Sequence, residues 1–383
     1  MTASLPDQTS LPDAQELLER LTAGGIREVA WVPCSVTARL QTLASADQRL
    51  RFVTTTHEAN LPGLAAGFWF ATGRPALLHM QNSGLTNAAD GLISLLSPQV
   101  YNIPALALVT WRGWAHEDDS EPHLAIGERT LPLAQAIFQH PHAVFGERNG
   151  LQTRQALQQA LHASHQQLAS ILLSPAGLAP ETTPVSAPET FVTRGTPYRP
   201  HTTHHTQPLL RDEALRAIAD AHPDAAILFC NGYTSRAAQA VVDRPGNFYN
   251  IGYMGGTLAI AWALAVQCPS LPVVIVDGDQ NAQMSAFHEN LAAHYPHNLT
   301  WYILNNGIGA SVGTAQSVPL STHLHTLANV IDTLPDAPGT FRWPRVSPTG
   351  HGVANLTDAQ RTHSLQDLAK GFRLWIQNHR SSP

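Results

Sequence analysis

Two short apolar runs, each ending in polar residues, constrain this chain more than any other feature. Leu271 to Val276 is unbroken and runs into Asp277-Gly278-Asp279, and Leu299 to Leu304 runs into Asn305-Asn306. Runs of this length without strict alternation suit strands buried on both faces, as in a parallel sheet covered by helices. Polar groups at the end of such a strand lie at the carboxyl edge, where open α/β sheets bind ligands. If the two strands are neighbours, Asp279 and Asn306 can share a cation, with the backbone carbonyl of Ile308 as a further hard oxygen. That donor set suits Mg²⁺ and leaves octahedral positions for diphosphate oxygens and water. Ordinary turn chemistry at the Asp-Gly-Asp is the competing reading.

The same alternation recurs along the chain. Leu17, Leu18 and Leu21 have helical spacing before a Gly24-Gly25 stop, and an apolar run then leads into Val32-Pro33-Cys34-Ser35. The pattern predicts strands over 51–56, 76–80 and 105–111, with helices over 61–71 and 87–96. In the second half it predicts helices over 209–221, 235–242 and 256–266 and strands over 225–230, 272–276 and 299–304. A further helix is expected over 282–294. Residues 176–207 are rich in Pro and Thr and lack periodicity, as a linker does. The expected organisation is an α/β domain over 1–175, the linker, and a second α/β domain over 208–383. Each domain would be a mostly parallel sheet flanked by helices. His201, His204 and His205 in the linker lack a nearby carboxylate or thiol and are weak metal candidates.

Charge and composition exclude several functions. A net charge of −6 gives no basic footprint for nucleic acid or an acidic membrane surface. Cys34, Cys230 and Cys268 are far apart and read as reduced thiols. Residues 1–15 have no apolar signal core, and the apolar stretch 255–268 is too short to span a bilayer, so a soluble cytoplasmic protein is expected. Lys370 is the single lysine, within an amphipathic pattern over 364–380, which excludes Schiff-base catalysis. Glu58 follows the strand over 51–56; it is either a helix-cap partner or a catalytic acid in apolar surroundings.

The spacing from Asp279 to Asn306, and the placement of Glu58 ahead of Gly67, resemble the metal–diphosphate motif and the activating glutamate of thiamine-diphosphate enzymes. The chain is most similar to the phosphonopyruvate and sulfopyruvate decarboxylases. It shares with them Val32-Pro33-Cys34-Ser35, the run Met80 to Leu85, Trp111-Arg112-Gly113, Thr234-Ser235-Arg236 and Gly252-Tyr253-Met254-Gly255. The resemblance implies a pyrimidine-type and a diphosphate-type thiamine-diphosphate-binding domain, with the cofactor between domains of different chains, hence a homo-oligomer of at least two copies. It implies thiamine diphosphate and Mg²⁺ as cofactors, a small 2-oxo acid as substrate, and Glu58, His57 and His123 as catalytic residues. Cofactor contacts fall on Glu58, Asn82, Ser83, Gly232, Met254, Gly255, Gly278, Asp279, Gln280 and Asn306, and the metal on Asp279, Asn306 and the Ile308 carbonyl. Substrate contacts fall on Ser35, Asn87, Arg112, Asp119 and Ser311. Glu58 would promote the reactive tautomer of the pyrimidine, and Met254 would wedge between the cofactor's rings unless it is an ordinary core methionine. His57 is either a proton relay or a structural histidine.

The departures from that family fall at chemically sensitive places. Asp118 stands where the family keeps a lysine; Gly309, Ala310 and Ser311 replace His-Asp-Ser; Gln280 replaces a glycine. At about 4 Å and an effective dielectric near 20, exchanging an attraction for a repulsion of about 4 kcal/mol each weakens the seat of a dianion. Arg112, Arg129 and Arg236 are the cations available to compensate. Three functions follow: a decarboxylase of a 3-substituted 2-oxo acid giving CO₂ and an aldehyde, a carboligase, and an inactive cofactor-binding homologue.

Overall fold

Asp13 caps the first helix, α1 (Ala14–Ala23): its carboxylate accepts the Glu16 N–H at 2.7 Å, and Leu17, Leu18 and Leu21 turn inward. This computed structural model describes residues 10–114, 118–144, 149–179, 208–309, 315–316, 318–335 and 364–380. Ser311 and most of the expected linker, with His201, His204 and His205, lie outside the described residues. The chain divides into two units, residues 1–69 with 74–192 and residues 70–73 with 193–383.

In the first unit strand and helix alternate: β1 (Glu28–Trp31), α2 (Ala38–Ala46), β2 (Arg51–Thr54), α3 (Leu61–Thr72), β3 (Ala76–Gln81), α4 (Leu85–Gly91), β4 (Ala105–Thr110), α5 (Glu121–Phe138), β5 (His142–Val144), α6 (Gly150–Ser164) and β6 (Leu168–Leu173). The six strands pair in parallel in the order β2-β1-β3-β4-β6-β5. Every residue of β1, β4 and β6 is buried, which is the physical source of their unbroken apolar pattern. Leu17 and Leu21 of α1 and Leu157 and Leu161 of α6 pack on Val29, Leu106 and Ile171.

The second unit repeats the plan: α7 (Arg211–Ala221), β7 (Ala226–Phe229), α8 (Tyr233–Val242), β8 (Asn247–Tyr249), α9 (Thr257–Gln267), β9 (Val273–Gly278), α10 (Asp279–Met284), α11 (His288–Ala293) and β10 (Leu299–Asn305). There follow a small antiparallel pair, β11 (Ile308–Gly309) and β12 (Ala315–Gln316), then α12 (Thr322–Leu327), β13 (Asn329–Asp332) and α13 (Leu365–His379). The main sheet is parallel in the order β13-β10-β9-β7-β8.

The single helix expected over 282–294 is two helices. Ser285 is extended (φ −67°, ψ 130°), and α11 restarts beyond Phe287, which is fully buried against Trp262 with ring centroids 5.3 Å apart. The break turns Phe287 and Leu291 into the core, which a continued helix from Asp279 would not do.

Each sheet reverses its strand order beside its first strand, and the first sheet does so again where β5 at the edge returns to β6. In the first unit the chain goes outward from β1 to β2 and returns to β3 on the other side of β1. In the second it goes from β7 to β8 and returns to β9 on the other side of β7. Loops diverge at such a point and leave a crevice at the carboxyl edge.

Candidate active site

The crevice of the second unit lies at the carboxyl ends of β7, β9 and β10. Gly278 pairs with Leu304, so Asp279 and Asn306 leave neighbouring strands at nearly the same level. A cavity of about 170 Å³ opens there. Of the residues anticipated for the cofactor and metal in this half, Gly232, Met254, Gly278, Asp279, Gln280, Asn306 and Ile308 line it. Gly255 does not; it shapes the turn behind Met254. Thr234 and Arg211 also line it.

Asp279 is 5% exposed; its Oδ1 accepts the Gln280 N–H at 2.9 Å, and the Asn306 Oδ1 accepts the Ile308 N–H at 3.1 Å. Carboxylate, amide and carbonyl oxygens without thiol or imidazole form a hard donor set, appropriate to Mg²⁺. The first turn of the ten-residue helix α8, with Tyr233 and Thr234, faces the same cavity. Free N–H groups at such an end favour phosphate oxygens. The residues present therefore fit a metal-bound diphosphate. The volume is below the roughly 300–1,000 Å³ of small-molecule sites, so this cavity by itself seats only part of a larger ligand.

The loop carrying Met254 is fixed from below. Asn250 Nδ2 donates to the Tyr253 carbonyl (2.7 Å) and Thr257 Oγ1 (3.0 Å), and its Oδ1 accepts the Tyr253 N–H (3.2 Å). The Gly255 N–H donates to Asn281 Oδ1 at 2.9 Å, Asn281 Nδ2 donates to Asp277 Oδ1 at 2.5 Å, and Trp301 Nε1 donates to Asp277 Oδ2 at 3.0 Å. Burial pushes the Asp277 carboxyl up to about 6, against the opposing hydrogen bonds from Asn281, Cys230 and Trp301. Gly255 has φ +69°, and a Cβ there would lie 2.6 Å from the Met284 carbonyl group, so only glycine fits. Met254 is 53% exposed, which rules out the core-methionine reading.

In the first unit the loops after β1, β2, β3 and β4 carry the remaining candidates. Glu58 opens a short 3₁₀ turn (Glu58–Asn60) after β2, and His57 caps it, its Nδ1 accepting the Ala59 N–H at 3.1 Å. Asn87 Nδ2 donates to Glu58 Oε2 at 3.0 Å. A Cβ on Gly84 would come within 2.3 Å of the Glu58 carboxyl carbon, so that side chain rests on bare backbone. The structure thus brings Glu58, Gly84 and Asn87 together. Ser35 opens the turn after β1 and is exposed, as is Ser83, whose Oγ accepts from Gln81 Nε2 at 2.7 Å. Asn82 instead points inward: its Nδ2 donates to the Arg112 carbonyl (2.9 Å) and Thr130 Oγ1 (2.7 Å), tying the β3 and β4 loops to α5.

Arg112, Asp119 and His123 form one cluster. Arg112 Nε and Nη2 donate to the two Asp119 oxygens at 3.0 and 2.7 Å, and His123 Nδ1 lies 2.8 Å from Asp119 Oδ1. Partial desolvation raises the Asp119 carboxyl, but hydrogen bonds from Arg112, the Ser120 N–H and His123 outweigh it and bring it down to about 2. The Arg112 guanidinium is therefore matched by an acid within its own loop. Arg129, the second cation considered, is exposed and donates to the Ala125 carbonyl at 2.5 Å. Arg236 belongs to α8 and does not line the cavity, its guanidinium carbon lying 5.6 Å from the centre of the Tyr233 ring.

Arg211 is the charged one among the cavity residues that the sequence did not point to, which also include Asn231, Tyr233, Asn281 and Met284. Its signal was a basic side chain in the first turn of a helix, where the macrodipole disfavours it.

The thiamine pyrophosphate enzyme N-terminal TPP-binding domain matches residues 14–141, and the C-terminal TPP-binding domain matches residues 231–336. A phosphonopyruvate decarboxylase of Streptomyces viridochromogenes is 32% identical over 321 residues, 82% of this chain and 79% of that protein. A sulfopyruvate decarboxylase of Methanosarcina acetivorans is 26% identical over 320 residues, 80% of this chain and 79% of that protein. The X-ray structure of a protein from Mycobacterium smegmatis, described as thiamin diphosphate-dependent, shares the fold. Its TM-score is 0.59 at 13% identity, with 85% of this chain and 100% of that one covered. The two domain matches and the level of identity together mean that the chain belongs to the thiamine pyrophosphate enzymes, in the group that holds the phosphonopyruvate and sulfopyruvate decarboxylases, which are carboxy-lyases.

Proposed function

We propose that the protein is a thiamine-diphosphate- and Mg²⁺-dependent decarboxylase of a 2-oxo acid substituted on carbon 3, phosphonopyruvate-like, releasing CO₂ and an aldehyde. The observation that carries this reading is the convergence of Asp279 and Asn306 at the level ends of β9 and β10, on the wall of one cavity. Asp279, Asn306 and the Ile308 carbonyl would hold the metal, and the start of α8 with Thr234 would face the diphosphate. Bound there, the cofactor supplies an electron sink for the carbon that loses CO₂.

The remaining roles belong to the chain. Glu58, steadied by Asn87 and seated on Gly84, exchanges a proton with the pyrimidine ring. Met254, exposed on a turn fixed by Asn250 and Asn281, presents an apolar side chain for a ring to lie on. His57 holds the turn that aims Glu58. Arg112, Asp119 and His123, with Ser35, face the substrate end, and His123 is the proton donor nearest to it in role. The small cavity of the second unit supports a complete site formed between the first unit of one copy and the second unit of another, in a homo-oligomer of at least two copies.

Purified protein supplied with thiamine diphosphate, Mg²⁺ and a panel of 2-oxo acids, pyruvate and phosphonopyruvate among them, is expected to release CO₂ and an aldehyde. Glu58→Gln is expected to lower kcat by at least about 10²-fold, the scale of a lost acid–base group, with cofactor affinity changed only slightly. Undiminished turnover in that variant would refute the assignment. Gly309 lies in β11 and offers no proton donor at a place where related enzymes keep a histidine. That favours carboligation as a second reading, for which an acyloin product in place of the aldehyde is the distinguishing result.

A further inference from the structure

Among the described residues, the wall of the second unit's cavity carries two side chains that are formally charged, Asp279 and Arg211. Arg211 is the first residue of α7 and is 9% exposed, and its guanidinium carbon lies 5.7 Å from the centre of the Tyr233 ring. Tyr233 opens α8 and lines the same cavity. An anion held in the cavity would meet this guanidinium at the wall. Asp279 and Arg211 together make the wall dipolar, with an acid suited to a metal and a guanidinium suited to phosphate oxygens. A diphosphate chelated by one divalent ion remains anionic, and Asp279 adds negative charge beside it. Arg211 balances that excess in a chain whose single lysine, Lys370, lies in α13.

We propose that Arg211 is a diphosphate-binding residue, its guanidinium donating to oxygens of a ligand whose metal sits on Asp279 and Asn306. The inference rests on the thiamine-diphosphate reading of the cavity and assigns to it a residue that the metal motif does not include.

Titration calorimetry of the full-length protein with inorganic pyrophosphate plus Mg²⁺, and with thiamine diphosphate plus Mg²⁺, tests it. Arg211→Met is expected to weaken both ligands at least tenfold, and Arg211→Lys to weaken them less. Arg216→Gln, which removes an exposed cation from the same helix, should stay within twofold of wild type. Affinity should also fall less steeply with added salt in Arg211→Met, because one ion pair fewer is screened. A folded Arg211→Met protein that binds both ligands within twofold of wild type overturns the proposal while leaving the cofactor reading intact. If the Met variant does not fold, Arg211→Gln and Arg211→Lys replace it. A Gln variant at least tenfold weaker, with Lys between, supports the proposal, and both within twofold overturns it. Wild-type protein that binds neither ligand overturns the cofactor reading and the proposal with it.

Discussion

His79 is the ring against which the β1 loop is set. It lies fully buried in β3, stacked on Trp31 at 3.6 Å, its Nδ1 donating to the Val32 carbonyl at 3.0 Å. Nε2 is then the acceptor for the Thr37 hydroxyl at 2.7 Å, which fixes the neutral tautomer. Burial pulls its pKa down to about 3, with only partial relief from the Val32 hydrogen bond. The folded value lies below the unfolded one, so the unfolded chain binds the extra proton. The stability tied to the neutral ring is complete above about pH 6.5 and is lost as pH falls toward 3, by about 1.4 kcal/mol per pH unit. Urea unfolding of wild type is therefore expected to weaken by about 2 kcal/mol between pH 7 and pH 5 from this ring, and the slope should be shallower in His79→Gln. At this scale the placement of Glu58, Asp279 and Asn306 just beyond β2, β9 and β10 was legible, because the strands that precede them stand out in the sequence. His79, Asp277 and Arg211 were not, because their surroundings include neighbours distant in sequence, such as Trp301 for Asp277.

The turn from Asn250 to Gly255 shows how one element holds another's side chain in place. Asn250 satisfies three buried groups in one residue, and removing it strands them at about 1–3 kcal/mol each before relaxation. Asn250→Ala is expected to lower stability by about 2–4 kcal/mol and to weaken thiamine-diphosphate binding, as denaturant titration and calorimetry would measure. Long buried elements such as α3, α9, β4 and β9 were readable from apolar runs alone. β5 and β8 have three residues each, too short for any periodicity to register. The break at Ser285 was equally invisible, since helix formers continue on both sides of it and only the demand to bury Phe287 decides the matter.

Each unit reverses its strand order beside its first strand, and most of the candidate site loops follow the strands beside that reversal. The α/β class and the parallel sheets were legible from alternating patterns, whereas strand order was not, because pairing between distant strands leaves no local mark. The oxygen-only donor set predicts strict dependence on a divalent ion. Dialysis against EDTA is expected to abolish thiamine-diphosphate binding, and Mg²⁺, but not a monovalent salt, to restore it. The modest size of the cavity beneath Met254 has a consequence for how such a catalyst diversifies. On the proposed reading, a half that holds the phosphorylated tail of its coenzyme and supports one ring is indifferent to whatever is being transformed at the other end. Recombination can then retain that half as a common socket and exchange the loops after β1, β3 and β4, so that new chemistry is acquired without relearning how to keep the coenzyme.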